Sequence, residues 1–304
     1  MSDDSHLTVT APAPSWFQWA LDFPMSEHRV EVEGCSIHYL RWAVEQEQLG
    51  QRGVLLVHGG GAHAHWWRYV APFLARTFNV AAIDLSGMGD SGRRAEYDTS
   101  VRAAEIRAVL ADAGLGPLPY VIGHSFGGFM TMKFASLYGR EIGGAVIVDS
   151  PIRSPEEAAK SELPPPPTGG TKKYYPDFDT ALGRFRLMPA QSCENDFIVE
   201  YIARHSLMET DQGWTWKFDP EAMGARRFGE PFNEYLQAVQ CRAALIFGEN
   251  SALISRETVA YMSELMGPLA PVVEIPEAQH HVMLDQPLAF VASARTLLES
   301  WSRG

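Results

Sequence analysis

Residues 120–128 read YVIGHSFGG, and this stretch decides the fold. A short apolar run, Tyr120 to Ile122, leads into Ser125, which stands between Gly123 and Gly127, and a helical pattern follows. A serine on a tight strand-to-helix turn is held in a strained backbone conformation, and small neighbours let the chain pass close by. The pattern therefore predicts that the hydroxyl of Ser125 projects above the end of a strand, where a nucleophile can act.

Segments typical of buried strands and of helices alternate on both sides of this turn. A hairpin is predicted within residues 29–42, and helical spacing occurs at 99–113, 256–266 and 288–301. Short apolar runs that resemble buried strands lie at 54–57, 80–83, 145–148 and 243–247, and a further strand is predicted at 272–275. This alternation is typical of an α/β fold with a mostly parallel sheet flanked by helices.

The alternation breaks over residues 151–235, a segment with many aromatic residues and with four consecutive prolines, Pro164 to Pro167. The simplest organisation is one α/β core interrupted by an insertion. We therefore predict a first core segment at 1–150, the insertion at 151–235 and a second core segment at 236–304.

Composition excludes several classes of protein. The 304 residues are 46% hydrophobic, with 25 Lys and Arg against 37 Asp and Glu, for a net charge of −12. This balance argues against a nucleic-acid partner, which needs a basic face. The acidic N-terminus lacks an apolar core, and no apolar run reaches the roughly 20 residues that span a bilayer. We expect a cytoplasmic protein without a membrane span. The sequence does not decide between a monomer and a homodimer.

A glycine-rich loop follows the predicted strand at 54–57, in the run His58-Gly59-Gly60-Gly61. Acyl transfer builds negative charge on a carbonyl oxygen, and each fixed backbone N–H that meets it lowers the barrier by roughly 3 kcal/mol. We assign such an oxyanion hole to the amides of Gly60 and Phe126, with Gly61 as the alternative. No GK[ST] follows, so a phosphate-binding loop is disfavoured.

Two adjacent histidines, His280 and His281, follow the last predicted strand. A serine hydroxyl is a poor nucleophile unless a neutral imidazole takes its proton, so one of the two is the candidate base. No metal is expected: His63 and His65 lack a third ligand at suitable spacing, and the three cysteines are far apart. No cofactor is expected either.

Together these motifs resemble the α/β-hydrolase superfamily, in the branch that holds serine esterases, haloalkane dehalogenases and epoxide hydrolases. The resemblance covers the opening hairpin, the loop from His58, the run from Asp84 to Ser91, the serine turn and the histidine loop. It implies an α/β-hydrolase fold with a helical cap inserted after strand 6. In this family the base lies seven residues before a proline, which selects His280 before Pro287, and Asp84 is implied to be structural.

The sequence departs from the family pattern at the acid that orients the histidine. The usual position, in the turn after the strand at 243–247, is occupied here by Ser251. Haloalkane dehalogenases carry the acid at the end of the preceding strand, where this chain has Asp149. We predict Asp149 as the acid, with Glu249 as the alternative. A water molecule or another group in place of the acid is the third alternative.

The resemblance implies a carboxylesterase-type serine hydrolase that cleaves esters of small to medium hydrophobic substrates through an acyl-enzyme on Ser125. Dehalogenases and epoxide hydrolases use a carboxylate nucleophile, so these two activities are disfavoured. Four side chains are predicted to shape the substrate pocket: His63, Trp66, Trp67 and Trp214. A C–C bond hydrolase or a lactonase with the same triad, and a non-catalytic ligand receptor with this fold, remain alternatives.

Overall fold

The computed structural model describes residues 4–43, 52–160, 171–223 and 230–303. The strands in these ranges are β1 (Ser26–Val32), β2 (Cys35–Trp42), β3 (Gly53–Val57), β4 (Asn79–Ile83), β5 (Tyr120–His124), β6 (Gly144–Val148), β7 (Leu207–Thr210), β8 (Gly213–Trp216), β9 (Arg242–Gly248) and β10 (Val272–Ile275). The α-helices are α1 (Ser15–Asp22), α2 (Ala71–Ala75), α3 (Thr99–Asp112), α4 (Phe126–Tyr138), α5 (Pro155–Lys160), α6 (Phe178–Leu182), α7 (Asp196–His205), α8 (Phe232–Gln237), α9 (Arg256–Met266), α10 (Val282–Asp285) and α11 (Pro287–Ser302).

Eight strands form one sheet in the order β1-β2-β4-β3-β5-β6-β9-β10. The pairs β1–β2 and β2–β4 are antiparallel, and every later pair in this order is parallel. The predicted α/β fold with a mostly parallel sheet is confirmed.

The central strands are buried on both faces because helices cover both sides of the sheet. In β3 the side chains of Val54 and Leu56 join one apolar cluster, which includes residues of α2 and α11. Leu55 and Val57 point the other way, into a second cluster with residues of α3 and α4. The uninterrupted apolar runs of the sequence therefore mark strands that have a core on each side.

The segment between β6 and β9 contains α5 to α8 and also the antiparallel hairpin β7–β8. The family resemblance implied a helical insertion here, and the hairpin differs from that expectation. Strands of four residues are too short to show a clear two-residue alternation, so the pattern was hidden. The domain boundaries at 150 and 235, and the view of this segment as a cap, stay predictions. The run Pro164 to Pro167 lies outside the described residues.

Among the described residues, no helix is both long and apolar enough to cross a membrane.

Candidate active site

Ser125 stands on the sharp turn between β5 and α4, with its backbone in the left-handed region at φ 52° and ψ −117°. The flanking glycines make this turn sterically feasible. A Cβ on Gly123 would lie 2.4 Å from the carbonyl oxygen of Gly127, and a Cβ on Gly127 would lie 2.4 Å from those of Val57 and His58. A larger side chain at Gly127 would therefore push the turn away from β3, and one at Gly123 would push β5 away from α4.

His280 lies in the loop after β10, and its Nε2 is 3.0 Å from Ser125 Oγ. The carbonyl oxygen of His280 accepts a hydrogen bond of 2.9 Å from His124 Nε2, which fixes the backbone of the loop beside the serine turn. His280 is 2% exposed, whereas Ser125 is partly exposed. The serine hydroxyl is thus reachable from solvent while its histidine is shielded.

Asp149 follows β6 directly, and its Oδ2 lies 2.7 Å from His280 Nδ1. An ionised carboxylate only accepts hydrogen bonds, so Nδ1 of His280 carries the proton in this contact. Nε2 of the neutral ring is then left to accept the hydrogen bond from Ser125 Oγ. The three side chains form the hydrogen-bonded series that activates a serine in acyl transfer.

The carboxylate of Asp149 is held by two further donors. Its Oδ1 accepts from the amide of Gly248 at 3.0 Å, and its Oδ2 accepts from Ser251 Oγ at 2.7 Å. Ser251 occupies the usual position of the acid in the family resemblance, so a hydroxyl here supports a carboxylate that comes from the neighbouring strand. Asp149 is fully buried and has a positive φ of 48°.

Glu249, the alternative acid, has an exposed side chain, and its Oε2 accepts a hydrogen bond of 3.0 Å from the amide of Glu277. The structure thus brings Asp149, rather than Glu249, into contact with His280.

The glycine loop after β3 lies against the serine turn. A Cβ on Gly59 would lie 3.1 Å from His124 Nδ1 and 3.5 Å from Ser125 Cβ, so only glycine allows this approach without displacement. Gly60 comes next in the chain, and Gly61 has a positive φ of 67°. Phe126 follows the serine as the first residue of α4. The roles of Gly60, Phe126 and Gly61 as oxyanion donors stay predictions.

Two of the predicted pocket residues lie close to the histidine loop or to the inserted segment. The ring of Trp66 packs on that of His281, with centroids 5.3 Å apart. His63 is buried, and its Nε2 contacts Ser206 Oγ, just after α7, at 2.8 Å. Trp66 is therefore separated from His280 by a single ring, and His63 connects the glycine loop to the insertion.

The other two predicted pocket residues have packing partners elsewhere. Trp67 is buried in the core against Phe290 of α11, with ring centroids 5.9 Å apart. Trp214 packs edge-on against Phe178 and His6, at 4.9 and 5.4 Å. These contacts favour a packing role for both tryptophans, and their place in a pocket stays a prediction without a supporting contact.

Asp84 joins the glycine loop to its neighbours, as its implied structural role requires. Its Oδ2 lies 2.7 Å from His38 Nδ1, and its carboxylate also accepts from the amides of Ala64 at 2.6 Å and Asp90 at 2.9 Å. Burial raises the pKa of Asp84, but the hydrogen bond and charge of His38 outweigh it and lower that pKa to about 2. An ionised Asp84 therefore fixes the loop that carries Gly60.

Two further histidines lie beside His280, and of these only His281 was indicated by the sequence, as one of the two candidate bases. His124 lies between the strand and Ser125, and His281 follows the proposed base; both are buried. Burial lowers the pKa of both rings well below 6.5, and the charge of His280 lowers it further. Both are therefore neutral near pH 7. The cluster is not apparent in the sequence because His124 and His281 are 157 positions apart.

Comparison with known proteins gives the family of the chain. The family model described as "Alpha/beta hydrolase family" matches residues 54–294. The chain therefore belongs to the α/β hydrolase family, and it is a hydrolase.

Two relatives and one solved structure of the same fold illustrate the range within this similarity. Esterase Rv0045c of Mycobacterium tuberculosis is 25% identical over 280 residues, which cover 88% of each chain. N-formylmaleamate deformylase of Pseudomonas putida is 32% identical over 138 residues, covering 44% of this chain and 49% of that protein. The solved thioesterase domain from the curacin biosynthetic pathway is 23% identical with a TM-score of 0.71, covering 89% of this chain and 99% of that one.

Proposed function

We propose that this protein is a carboxylesterase-type serine hydrolase that cleaves esters of small to medium hydrophobic substrates. The observation that carries the proposal is the series of hydrogen bonds from Asp149 through His280 to Ser125, at 2.7 and 3.0 Å. The similarity to esterase Rv0045c along 88% of both chains supports the same reaction class.

In the proposed reaction, Ser125 Oγ attacks the ester carbonyl carbon while His280 Nε2 takes its proton. The carbonyl oxygen becomes an oxyanion that accepts hydrogen bonds from the amides of Gly60 and Phe126, or from Gly61 in the alternative arrangement. The ion pair with Asp149 stabilises the imidazolium. When the tetrahedral intermediate collapses, the C–O bond to the alcohol breaks and His280 donates its proton to that alcohol.

The second half of the proposed reaction removes the acyl group from Ser125. His280, neutral again, takes a proton from a water molecule as the water oxygen attacks the acyl carbon. Collapse of the second intermediate releases the carboxylic acid and returns the proton to Ser125 Oγ. No oxidant, metal or further group is needed to balance either half.

The surroundings of the serine support an apolar acyl or alcohol group. Phe126 follows the nucleophile directly, and Trp66 lies beside His281. Apolar pockets with few fixed polar groups favour medium-sized hydrophobic ligands. A cytoplasmic location, and a homodimer as an open option, remain predictions of the sequence.

Hydrolysis of p-nitrophenyl esters of increasing acyl length tests the proposal, with Ser125→Ala as the matched variant. We expect turnover that peaks at short to medium chains and falls by at least about 10⁴-fold in the variant. A fluorophosphonate should label the wild type and leave Ser125→Ala unlabelled. Absence of both turnover and labelling in the folded wild type would favour the ligand receptor.

A second candidate is hydrolysis of an N-acyl bond, because the deformylase is 32% identical over its matched part. The same triad attacks an amide carbonyl, and His280 would then protonate a departing nitrogen. Two substrates with the same acyl group, one an ester and one an amide, distinguish the two reactions when their kcat/KM values are compared. A higher kcat/KM on the amide would replace the esterase proposal, and exclusive turnover of lactones or vinylogous diketones would favour the remaining alternatives.

A further inference from the structure

The first three residues of α4 have one side chain between them, that of Phe126. The helix begins at Phe126, and the next two residues are Gly127 and Gly128. The ring of Phe126 is 2% exposed and belongs to the second apolar cluster of the core. The contacts of this ring therefore influence where the amide of Phe126, a predicted oxyanion donor, stands relative to Ser125.

A buried arginine lies over that ring. Arg102, near the start of α3, is 3% exposed, and its Cζ is 4.6 Å from the centroid of the Phe126 ring. A cation over the face of an aromatic ring is attracted by the ring quadrupole, and the attraction is stronger where water is excluded. The guanidinium group of Arg102 therefore holds the Phe126 ring in its place in the core.

The guanidinium group is itself held by two other segments of the chain. Its Nη2 donates a hydrogen bond of 2.7 Å to the carbonyl oxygen of Ala222, in the insertion. Its Cζ also lies 5.2 Å from the centroid of the Tyr97 ring, and Tyr97 OH donates to Asp219 Oδ2 at 2.9 Å. Arg102 thus has partners in the insertion and before α3, in addition to Phe126 at the serine turn.

The partners of Arg102 are packed closely against the loop after β4. A Cβ on Gly87 would lie 2.5 Å from Tyr97 OH and 2.7 Å from Ala222 Cβ. The carbonyl oxygen of Gly87 accepts a hydrogen bond of 2.7 Å from the amide of Asp219. Because Tyr97 and Ala222 are fixed in this way, the guanidinium group that contacts both is fixed as well.

The charge of Arg102 does more than fill space beside Phe126. Removing a cation from water costs free energy, and an apolar side chain of similar volume would fill the same site without that cost. At 3% exposure the guanidinium group is also shielded from any ligand that approaches from solvent. These two facts favour a directional contact within the protein over a contact with the substrate.

We infer that Arg102 is a positioning residue for the proposed reaction. Through the ring of Phe126 it fixes the start of α4, and with it the amide that donates a hydrogen bond to the oxyanion. A displaced backbone donor stabilises the transition state less and changes the binding of the ester itself little. The inference rests on the proposed function, because the oxyanion role of the Phe126 amide belongs to that function.

Steady-state ester hydrolysis by Arg102→Met tests the inference, because methionine removes the charge and keeps most of the volume. We expect kcat to fall by about 10- to 100-fold while KM changes by less than about threefold. Arg107→Met is the matched control and should keep near-normal kcat. Arg107 lies on the same helix, is 53% exposed, and has its Cζ 4.7 Å from the centroid of Tyr138, at the other end of α4.

Phe126→Leu distinguishes an effect through the ring from any other effect of Arg102. This variant keeps the amide and loses the ring, so adding Arg102→Met to it should lower kcat by no more than about a further twofold. Arg102→Gln, which also lacks the charge, should show the same fall in kcat as Arg102→Met. It serves as the second variant if a thermal melt shows that the methionine variant does not fold.

Three results would overturn the inference in a folded variant without the charge, when the wild type is active. They are an unchanged kcat, a rise in KM alone, and a loss in the Phe126→Leu background as large as in the wild type. A wild type that shows neither ester turnover nor labelling by a fluorophosphonate would instead refute the proposed function, and the inference with it.

Discussion

Ser125 and Asp149 share an uncommon backbone conformation, with φ of 52° and 48° at residues that are not glycine. Such positions cost about 1–3 kcal/mol each and persist where the surroundings hold them in place. The carbonyl oxygen of Ser125 accepts a hydrogen bond from Ser150 Oγ at 2.7 Å, and the amide of Ser125 donates to Val148 at 2.8 Å. The turn of Ser125 is thus hydrogen-bonded to the two residues that flank Asp149, at the ends of adjacent strands.

Asp149→Asn should lower kcat by a factor of roughly 10³ or more, because an amide can favour the wrong tautomer of His280. The measurement is steady-state ester hydrolysis at saturating substrate, together with a thermal melt to establish folding. Glu249→Gln is the matched control and should keep near-normal activity, since its carboxylate contacts the amide of Glu277. A near-normal rate in Asp149→Asn with a large loss in Glu249→Gln would reverse the assignment.

A change at Ser251 should restore part of the activity that Asp149→Asn loses. The Oγ of Ser251 lies 2.7 Å from Asp149 Oδ2, the same oxygen that contacts His280. A carboxylate introduced by Ser251→Asp in the Asp149→Asn background should therefore reach Nδ1 of His280. It should raise kcat at least tenfold above that of Asp149→Asn. No recovery in a correctly folded double variant would mean that the position of the acid on β6 is essential.

At the scale of elements, the glycine loop after β3 and the serine turn before α4 are packed backbone against backbone. Gly127 lies where a Cβ would meet the carbonyl oxygens of Val57 and His58 at 2.4 Å. Asp84 holds the far side of the same loop through the amide of Ala64. The approach of these two elements sets where the predicted oxyanion donors stand relative to Ser125.

Gly127→Ala should destabilise the fold by about 3 kcal/mol, because the added methyl group overlaps backbone that cannot rotate away. It should also lower ester hydrolysis by displacing α4 from the loop. Gly34→Ala is the control: Gly34 has φ +73° and open space around it, so only the backbone strain of about 1 kcal/mol applies. Urea unfolding measures both, and an equal loss of stability in the two variants would contradict the close packing at Gly127.

The inserted segment is also tied to the histidine loop. Gln191 accepts a hydrogen bond from the amide of His281 at 3.1 Å and donates to both oxygens of Asp285, at 3.0 and 2.9 Å. Asn195 donates to the carbonyl of Leu284 at 2.7 Å. The position of His280 therefore depends on contacts from the insertion as well as from the sheet.

At the scale of the whole molecule, a second group of histidines joins the core to the insertion. His65 Nδ1 contacts Tyr201 OH at 2.8 Å, and the rings of His65 and His205 are 4.3 Å apart. Burial lowers the pKa of His63 and His65 well below 6.5 and lowers that of His205 to about 4. All three are neutral in the folded protein near pH 7.

These shifts predict that acid weakens the fold. Between about pH 6.5 and pH 4 the unfolded chain binds a proton at His205 that the folded chain does not, so the free energy of unfolding falls as the pH falls. His205→Gln removes this contribution. The loss of stability from pH 7 to pH 5, measured by urea unfolding, should be smaller in the variant by about 1–2 kcal/mol.

The matched control uses the same two proteins at higher pH. From pH 7 to pH 8 the imidazole of His205 is neutral in both states, so wild type and variant should show parallel stability profiles. An identical loss of stability between pH 7 and pH 5 in both proteins would contradict the burial of His205 as a neutral group.

Much of the fold could be predicted because its signals are local. The apolar runs predicted five strands of the sheet at or near their observed positions, since strands buried on both faces are uniformly apolar. The hairpin β7–β8 was missed because its strands have four residues each and one of them contains two tryptophans. The contacts of Trp67 and Trp214 depend on partners up to 223 positions away, which aromatic composition alone does not reveal.

By itself, the sequence determined that Ser125 stands on a glycine-flanked turn between a buried strand and a helix, because that conformation depends on neighbours within a few residues. Only the tertiary structure decided which carboxylate meets His280. Asp149, the turn from Gly248 to Ser251, and His280 come from three separate segments of the chain, and a hydrogen bond depends on tenths of an ångström that spacing along the chain does not encode. The same reason hides the three-histidine cluster, whose members meet only when two sheet-end loops pack together.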